Sequence, residues 1–160
     1  MVDILITKAK KADSKIACNI LRRSIIEVCH KDHNGNQAIL AMWLENKTIS
    51  NVAKWFTADN LLSLIVALNG NKVGVGMVND AGIINFCYLL PEALHQGVGK
   101  ALLKSMIKYA IETDLDSVFV TSTATGKKFY ERNGFGYNGE SEKYRGIYGY
   151  PLILNLKPSS

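Results

Sequence analysis

Leu89-Leu90-Pro91-Glu92-Ala93-Leu94-His95-Gln96-Gly97-Val98-Gly99-Lys100-Ala101-Leu102-Leu103 leads from the end of an apolar strand, through a short loop, into a glycine-marked helix start. The first amides of a helix have no partner inside it and lie at the positive end of its dipole, so such a start suits a phosphate. Glycine lets a ligand approach the backbone closely. Two phosphate loops fail on spacing. A Walker loop needs glycine where Leu94 stands and Ser or Thr where Ala101 stands. A dinucleotide loop sits early in an alternating strand and helix unit, with an acidic residue about 20 positions on; here the preceding segments read as an antiparallel meander.

That meander comes from two runs, Leu61–Leu68 and Val73–Val78, joined by Asn69-Gly70-Asn71, whose residues tolerate positive φ. A third strand covers Ile83–Leu90, and Pro91 stops it by removing a ladder donor. Downstream, Val98, Leu102, Leu103, Met106, Ile107 and Ala110 recur with helical spacing, predicting a helix from Gly97 to about Thr113. Ser117–Thr121 reads as a strand, Thr125–Arg132 as a short helix stopped by Asn133-Gly134, and Tyr150–Leu156 as a closing strand. At the other end, Ile4–Thr7 is a short strand. Asp13 is an N-cap candidate for a helix carrying Ile16, Ile20, Leu21, Ile25 and Val28 and ending near Cys29. The turn formers from His30 to Asn36 predict a loop. A helix over Ala38–Leu44 follows, and Thr48 or Ser50 can cap another that carries Val52, Trp55 and Phe56. No repeat or linker interrupts the 160 residues, so one domain spanning 1–160 is expected.

The loop and helix start resemble the pyrophosphate-binding motif of the GNAT acetyltransferases, Gln/Arg-x-x-Gly-x-Gly/Ala, with Gly97 and Gly99 as the motif glycines. Leu94 then occupies the Gln/Arg position, a departure that the backbone donors can offset. A second stretch, Ser122-Thr123-Ala124-Thr125-Gly126-Lys127-Lys128-Phe129-Tyr130-Glu131-Arg132-Asn133-Gly134-Phe135, resembles the family's Asn-x-x-Ala-x-x-Phe-Tyr-x-x-x-Gly-Phe helix. Phe129, Tyr130, Gly134 and Phe135 match; Thr123 replaces Asn and Gly126 replaces Ala. Asp32-His33, Trp43-Leu44-x-Asn46-Lys47-Thr48 and Trp55 are similar to one small GNAT subgroup.

The resemblance implies an α/β fold of the GNAT acyl-CoA N-acyltransferase type, with a mixed, mostly antiparallel sheet flanked by helices and splayed between the strands ending at Leu90 and beginning near Ser117. It implies acetyl-CoA as the acyl donor, no metal, and direct attack by a primary amine. Residues 96–101 (Gln96, Gly97, Val98, Gly99, Lys100, Ala101) would receive the pyrophosphate. The strand at Cys87 and Leu89 would hold the pantetheine arm and supply an oxyanion donor, and Thr123 and Phe129 would complete the cofactor site. Tyr130 would be the acid that protonates or hydrogen-bonds the departing thiolate. The alternative is a GNAT-like module that binds acyl-CoA without catalysis.

An alkylamine must lose a proton before attack. The strand offers no glutamate, which leaves Asp80, Asn85 as a water holder, Glu27, His30 and Asp32 as candidates. His30-x-x-His33 with Asp32 reads as a solvated loop rather than a metal site, because no Cys or Glu cluster completes it. Cys87 reads as a strand filler, since no histidine is paired with it locally.

Composition bounds the rest. Three cysteines, Cys18, Cys29 and Cys87, stand in no ligand or disulfide spacing. The net charge of +5 is spread without an aromatic-interleaved basic stripe, so no nucleic-acid partner is expected, and a polyanionic cofactor accounts for the excess equally well. Apolar runs fall short of the roughly 20 residues of a spanning helix, and no signal peptide is apparent, so no membrane partner and a cytoplasmic location are expected. The acceptor partner is a small-molecule or peptide amine. The sequence is compatible with a homodimer without specifying one.

Overall fold

In the computed structural model, residues 2–157 are described; Met1 and 158–160, the ends of the expected domain, lie outside the described residues. Strand β1 (Ile4–Lys8) is followed by α1 (Ser14–Val28), α2 (His30–His33), α3 (Gln37–Leu44) and α4 (Ile49–Phe56). The meander is β2 (Leu61–Leu68), β3 (Asn71–Asn79) and β4 (Ile83–Leu89). Then come α5 (Val98–Glu112), β5 (Ser117–Ser122), α6 (Lys127–Arg132), β6 (Gly136–Tyr137), β7 (Glu142–Tyr144) and β8 (Ile147–Asn155). The strands run β1-β2-β3-β4-β5-β8-β6, with β7 paired to β8. Only β4 and β5 are parallel; the other pairs are antiparallel.

The element starts have local causes. The Asn36 side chain accepts from the Ile39 amide at 3.1 Å and opens α3, and Thr48 rather than Ser50 caps α4 through the Asn51 amide at 3.1 Å. Asp13 does not cap α1 with its side chain. Its carboxylate instead takes the Lys10 amide and the Lys72 ammonium, each at 2.8 Å.

β3 is buried along Val73–Val78 because helices pack on it from α1 and α5. Gly76 makes room for the second of these: a Cβ there would lie 3.1 Å from Leu102 Cγ and Met106 Cε. Side chains alternate along a strand, so Val73, Val75 and Met77 point to the opposite face, where Ala17, Ile20 and Leu21 of α1 belong to the same core. Burying these aliphatic side chains contributes about 1.5–3 kcal/mol each before entropy is counted.

Two segments also depart from the sequence expectation. The segment expected as a solvated loop contains α2, with Asp32 and His33 buried. The His33 ring explains it. Nε2 donates to the Ile25 carbonyl at 3.0 Å, while Nδ1 accepts from the Gly35 amide at 2.9 Å, so the ring ties the turn to the end of α1. Past α6, the polar stretch up to Tyr150 forms β6, β7 and the first part of β8. Here ladder pairing to β8 overrides the weak strand propensity of Gly, Ser and Glu. No helix among the described residues is long and apolar enough to cross a membrane.

Candidate active site

The site follows from a fault in the sheet. β3 pairs Met77 with Phe86 and Val78 with Ile84, so Asn85 is an extra residue on β4. Such a bulge bends its strand. β4 meets β5 only at Ile83–Phe119 and Ile84–Val120; beyond Asn85 the two separate. The gap is a cavity of about 600 Å³, within the range of small-molecule sites.

One end is formed by the turn into α5. His95 and Gly97 have φ of 61° and 79°, a left-handed conformation that suits glycine and strains histidine. The first α5 amide with a backbone partner is that of Ala101, on the Gly97 carbonyl at 3.1 Å. Those of Val98, Gly99 and Lys100 find none among the described residues, so they can receive an anion. The position a Gly97 Cβ would take is open. At Gly99 the reverse holds: a Cβ would lie 3.3 Å from both Leu89 Cδ1 and Phe129 Cε1, so a residue without a side chain lets α5, β4 and α6 meet.

α6 supplies Tyr130. Gly134, at φ 95°, stops the helix, and the Phe135 amide returns to the Tyr130 carbonyl at 3.1 Å. The Tyr130 ring packs edge-on between Phe129 and Phe135, with centroids 5.1 and 5.4 Å away. Burial, then the neighbouring Cys87 and Tyr88, push its phenol well above the ordinary tyrosine value, so it stays protonated. The Cys87 thiol is pushed up to about 12 by burial. It is a neutral thiol on a strand rather than a nucleophile.

The loop before α6 is fixed from a distance. Asp32 Oδ1 accepts from the Ala124 amide at 2.7 Å, and Oδ2 accepts from the Thr125 amide at 3.3 Å and its hydroxyl at 2.5 Å. The Thr123 hydroxyl then accepts from the Gly126 amide at 3.0 Å. A short helix after α1 thereby sets the approach to Tyr130.

Of the residues singled out in the sequence, Cys87, Leu89, Gly97, Gly99, Lys100, Thr123, Phe129 and Tyr130 line one cavity. Gln96, Val98 and Ala101 do not. Gln96 donates its side-chain amide to the Glu92 carbonyl at 2.8 Å, Val98 is in the core, and Ala101 lies one turn along α5. Leu94, the departure from the motif, also lines the cavity. Among the base candidates only Asn85 reaches it. Asp32 is committed to the loop, Glu27 pairs with Arg23 at 2.7 Å, and Asp80 and His30 are exposed and off the wall.

The sequence reading missed Ser24, Val28 and Cys29, which close the cavity from α1, and His95, Arg132 and Asn133; Tyr88, the strand neighbour of Cys87 and Leu89, lines the cavity with them. Ser24 carried a signal, being, apart from Ser14 at the helix start, the hydroxyl on the buried stripe of Ala17, Cys18, Ile20, Leu21 and Ile25. Among the described residues, no group of three or more His, Cys, Asp or Glu could hold a metal ion.

Residues 29–156 match the GNAT acetyltransferase domain. No curated protein sequence matches the chain. Among solved structures, it resembles a GCN5-related N-acetyltransferase from Rhodopseudomonas palustris with a TM-score of 0.84 at 18% identity, covering 95% of each chain. The PaiA N-acetyltransferase of Thermoplasma acidophilum, in complex with coenzyme A, superposes with a TM-score of 0.80 at 17% identity over 96% of this chain and 99% of that one. YncA of Salmonella typhimurium, with acetyl-CoA, gives 0.74 at 16% identity over 99% and 96%.

Proposed function

The chain belongs to the GNAT acetyltransferase family, and from that premise we propose that it is an N-acetyltransferase, residues 1–160 acting as one domain that moves an acetyl group from acetyl-CoA to a primary amine by direct attack. The observation that carries this reading is the convergence of the anion-accepting turn at Gly97–Lys100, the unpaired β4 edge at Cys87–Leu89 and the buried Tyr130 phenol on one cavity.

In this reading the pyrophosphate lies on the amides of Gly97, Val98, Gly99 and Lys100, with the Lys100 ammonium as counter-charge. The Gln96 and Ala101 backbones flank it. The pantetheine arm runs along β4, where a strand amide between Cys87 and Leu89 polarises the thioester carbonyl; Thr123 and Phe129 border it. The amine nitrogen attacks that carbonyl, the new N–C bond forms, the C–S bond breaks, and its electron pair leaves on sulfur. Tyr130 donates a hydrogen bond to this sulfur. A thiol titrates near 8.5, below a phenol, so full transfer from Tyr130 alone is uphill. The proton the nitrogen sheds after attack completes the thiol.

Turnover with a panel of primary amines, read beside coenzyme A binding, tests the assignment. Release of coenzyme A together with acetylated amine is expected. Tight binding of acetyl-CoA with no transfer to any amine would instead identify a binding module.

A further inference from the structure

The two ends of the cavity differ in charge. Of the lining side chains, Lys100 on α5 and Arg132 on α6 are cations, beside the turn proposed to receive the anion. The part lined by α1 and β4, with Ser24, Val28 and Cys29 from the first and Asn85 and Tyr88 from the second, carries no Lys, Arg, Asp or Glu side chain. Among the described residues, the wall of the cavity includes no Asp or Glu side chain. The carboxylates near this end are engaged elsewhere: Asp32 holds the Ala124–Thr125 amides, and Glu27 and Glu92 share Arg23 at 2.7 and 3.2 Å.

Ser24 is 99% buried by virtue of a relative exposure of 1%, lines the cavity, and its hydroxyl has no hydrogen-bond partner among the described residues. Other helical hydroxyls do bond back to their own helix, such as Ser105 to Ala101 at 3.2 Å. Facing the cavity and bonded to no described protein group, the Ser24 hydroxyl is available to accept a ligand's polar hydrogen.

We infer that the acceptor is a weakly basic primary amine, such as an α-amino group or an arylamine, that enters this neutral end as its free base and donates a hydrogen bond to Ser24. The inference rests on the acetyl-transfer reading above. Burial is the first cause that raises the thiols of Cys29 and Cys87 to about 12 and lifts the phenols of Tyr88 and Tyr130. The charge of Asp32 adds to it at Cys29 and Tyr88, but that carboxylate is held by the Ala124 and Thr125 amides and the Thr125 hydroxyl. The same desolvation acts on an entering ammonium in the opposite direction, favouring its neutral form. For a free amine the transfer balances without an enzyme base: nitrogen loses one proton and sulfur gains one. A protonated alkylamine must first discard a proton, and the remaining ammonium of a polyamine needs a counter-charge that no Asp or Glu of this wall supplies.

Glycinamide, aniline and n-propylamine are suitable probes, compared by kcat/KM from about pH 6.5 to 9.5. At about pH 7.5 an α-amine near 7.7 and an alkylamine near 10.4 differ about 300-fold in free base. The alkylamine's greater nucleophilicity recovers part of this, so a preference of about tenfold or more for a weakly basic probe is expected, and glycinamide against aniline identifies which kind. Across this range the glycinamide profile should bend near the α-amino value of about 7.7. The n-propylamine profile should rise throughout because its value of about 10.4 lies above the range, and the aniline profile should stay level because aniline is already the free base. Ser24→Ala should raise KM for the amine about fivefold and leave KM for acetyl-CoA unchanged. A common bend for glycinamide and n-propylamine, preference for spermidine, or an unmoved amine KM in Ser24→Ala would each overturn the inference while leaving acetyl transfer standing. No transfer to any amine removes the proposed function itself.

Discussion

The two ends of the cavity are made by different means. The end at α5 is built largely from backbone: free amides of consecutive residues, a left-handed Gly97, and Gly99 where three elements meet. The end at α1 is built from side chains that depend on distant partners, such as Asp32 holding residues 92 and 93 positions away. Backbone sites tolerate sequence change, so Leu94 in place of the motif's Gln or Arg is compatible with the proposed anion site. Side-chain sites define what is accepted and fail when one partner is lost.

Tyr130 lies between the two ends and should show the largest effect. Tyr130→Phe is expected to lower kcat about 100-fold or more, with KM for acetyl-CoA within about twofold; full activity in steady-state assays would remove Tyr130 from the mechanism. Because burial raises its pKa, the donor form persists upward in pH. Wild-type kcat with a weakly basic acceptor should therefore stay level to about pH 9.5, above the range where an unshifted enzyme base would have finished titrating.

Asp32→Asn tests the dependence of the acceptor end on its distant partners. It sets a side-chain NH2 or a lost acceptor against the Thr125 donors, which costs about 1–3 kcal/mol. A lowered melting temperature and about a tenfold loss in kcat are expected. If Asp32 acts by positioning Tyr130, the loss in kcat shrinks in the Tyr130→Phe background; an equal loss in both backgrounds would leave Asp32 a purely structural residue.

Gly97→Ala tests the backbone end. Nothing crowds the added Cβ, so the cost is the left-handed conformation, about 1–2 kcal/mol. Held against binding, this should raise KM for acetyl-CoA about tenfold and leave kcat and acceptor preference alone. A changed acceptor preference would break the division between the ends.

The smallest effect should come from a pair remote from both. The Lys72 hydrogen bond is the main cause of the lowered Asp13 pKa, opposed by partial burial. A carboxylate depressed on folding adds stability above its unfolded value near 3.9, which is lost as pH falls through the lower folded value. The pair is largely solvent-screened, so Lys72→Ala should cost under about 1 kcal/mol at neutral pH, and the difference from wild type in chemical denaturation should shrink as pH falls below the unfolded value and vanish once the folded carboxyl is protonated.

The same contrast governs what was legible in the sequence. Gly97, Gly99, Gly134 and the apolar periods of α5 and the meander are local signals; they gave the fold, and the turn they mark at Gly97 and Gly99 lies on the cavity wall. α2 was read as a loop because what stabilises it is not local: His33 bonds to α1, and Asp32 bonds across the cavity. The bulge at Asn85, which opens the sheet, is a property of pairing between strands and leaves no mark in either one. Ser24 was legible as a polar interruption of an apolar stripe, yet its importance depends on the cavity that β4 opens beside it. β6 and β7 exist through pairing with β8, against their own composition.

Direct transfer across this cavity is tested most directly by a single turnover with isotopically labelled acetyl-CoA, following label by mass spectrometry on the amine and on the intact protein. The account predicts label on the amine nitrogen in step with coenzyme A release, and an unlabelled protein throughout. Label accumulating on Cys87 before it reaches the amine would contradict direct attack, and label reaching no amine at all would contradict acetyl transfer.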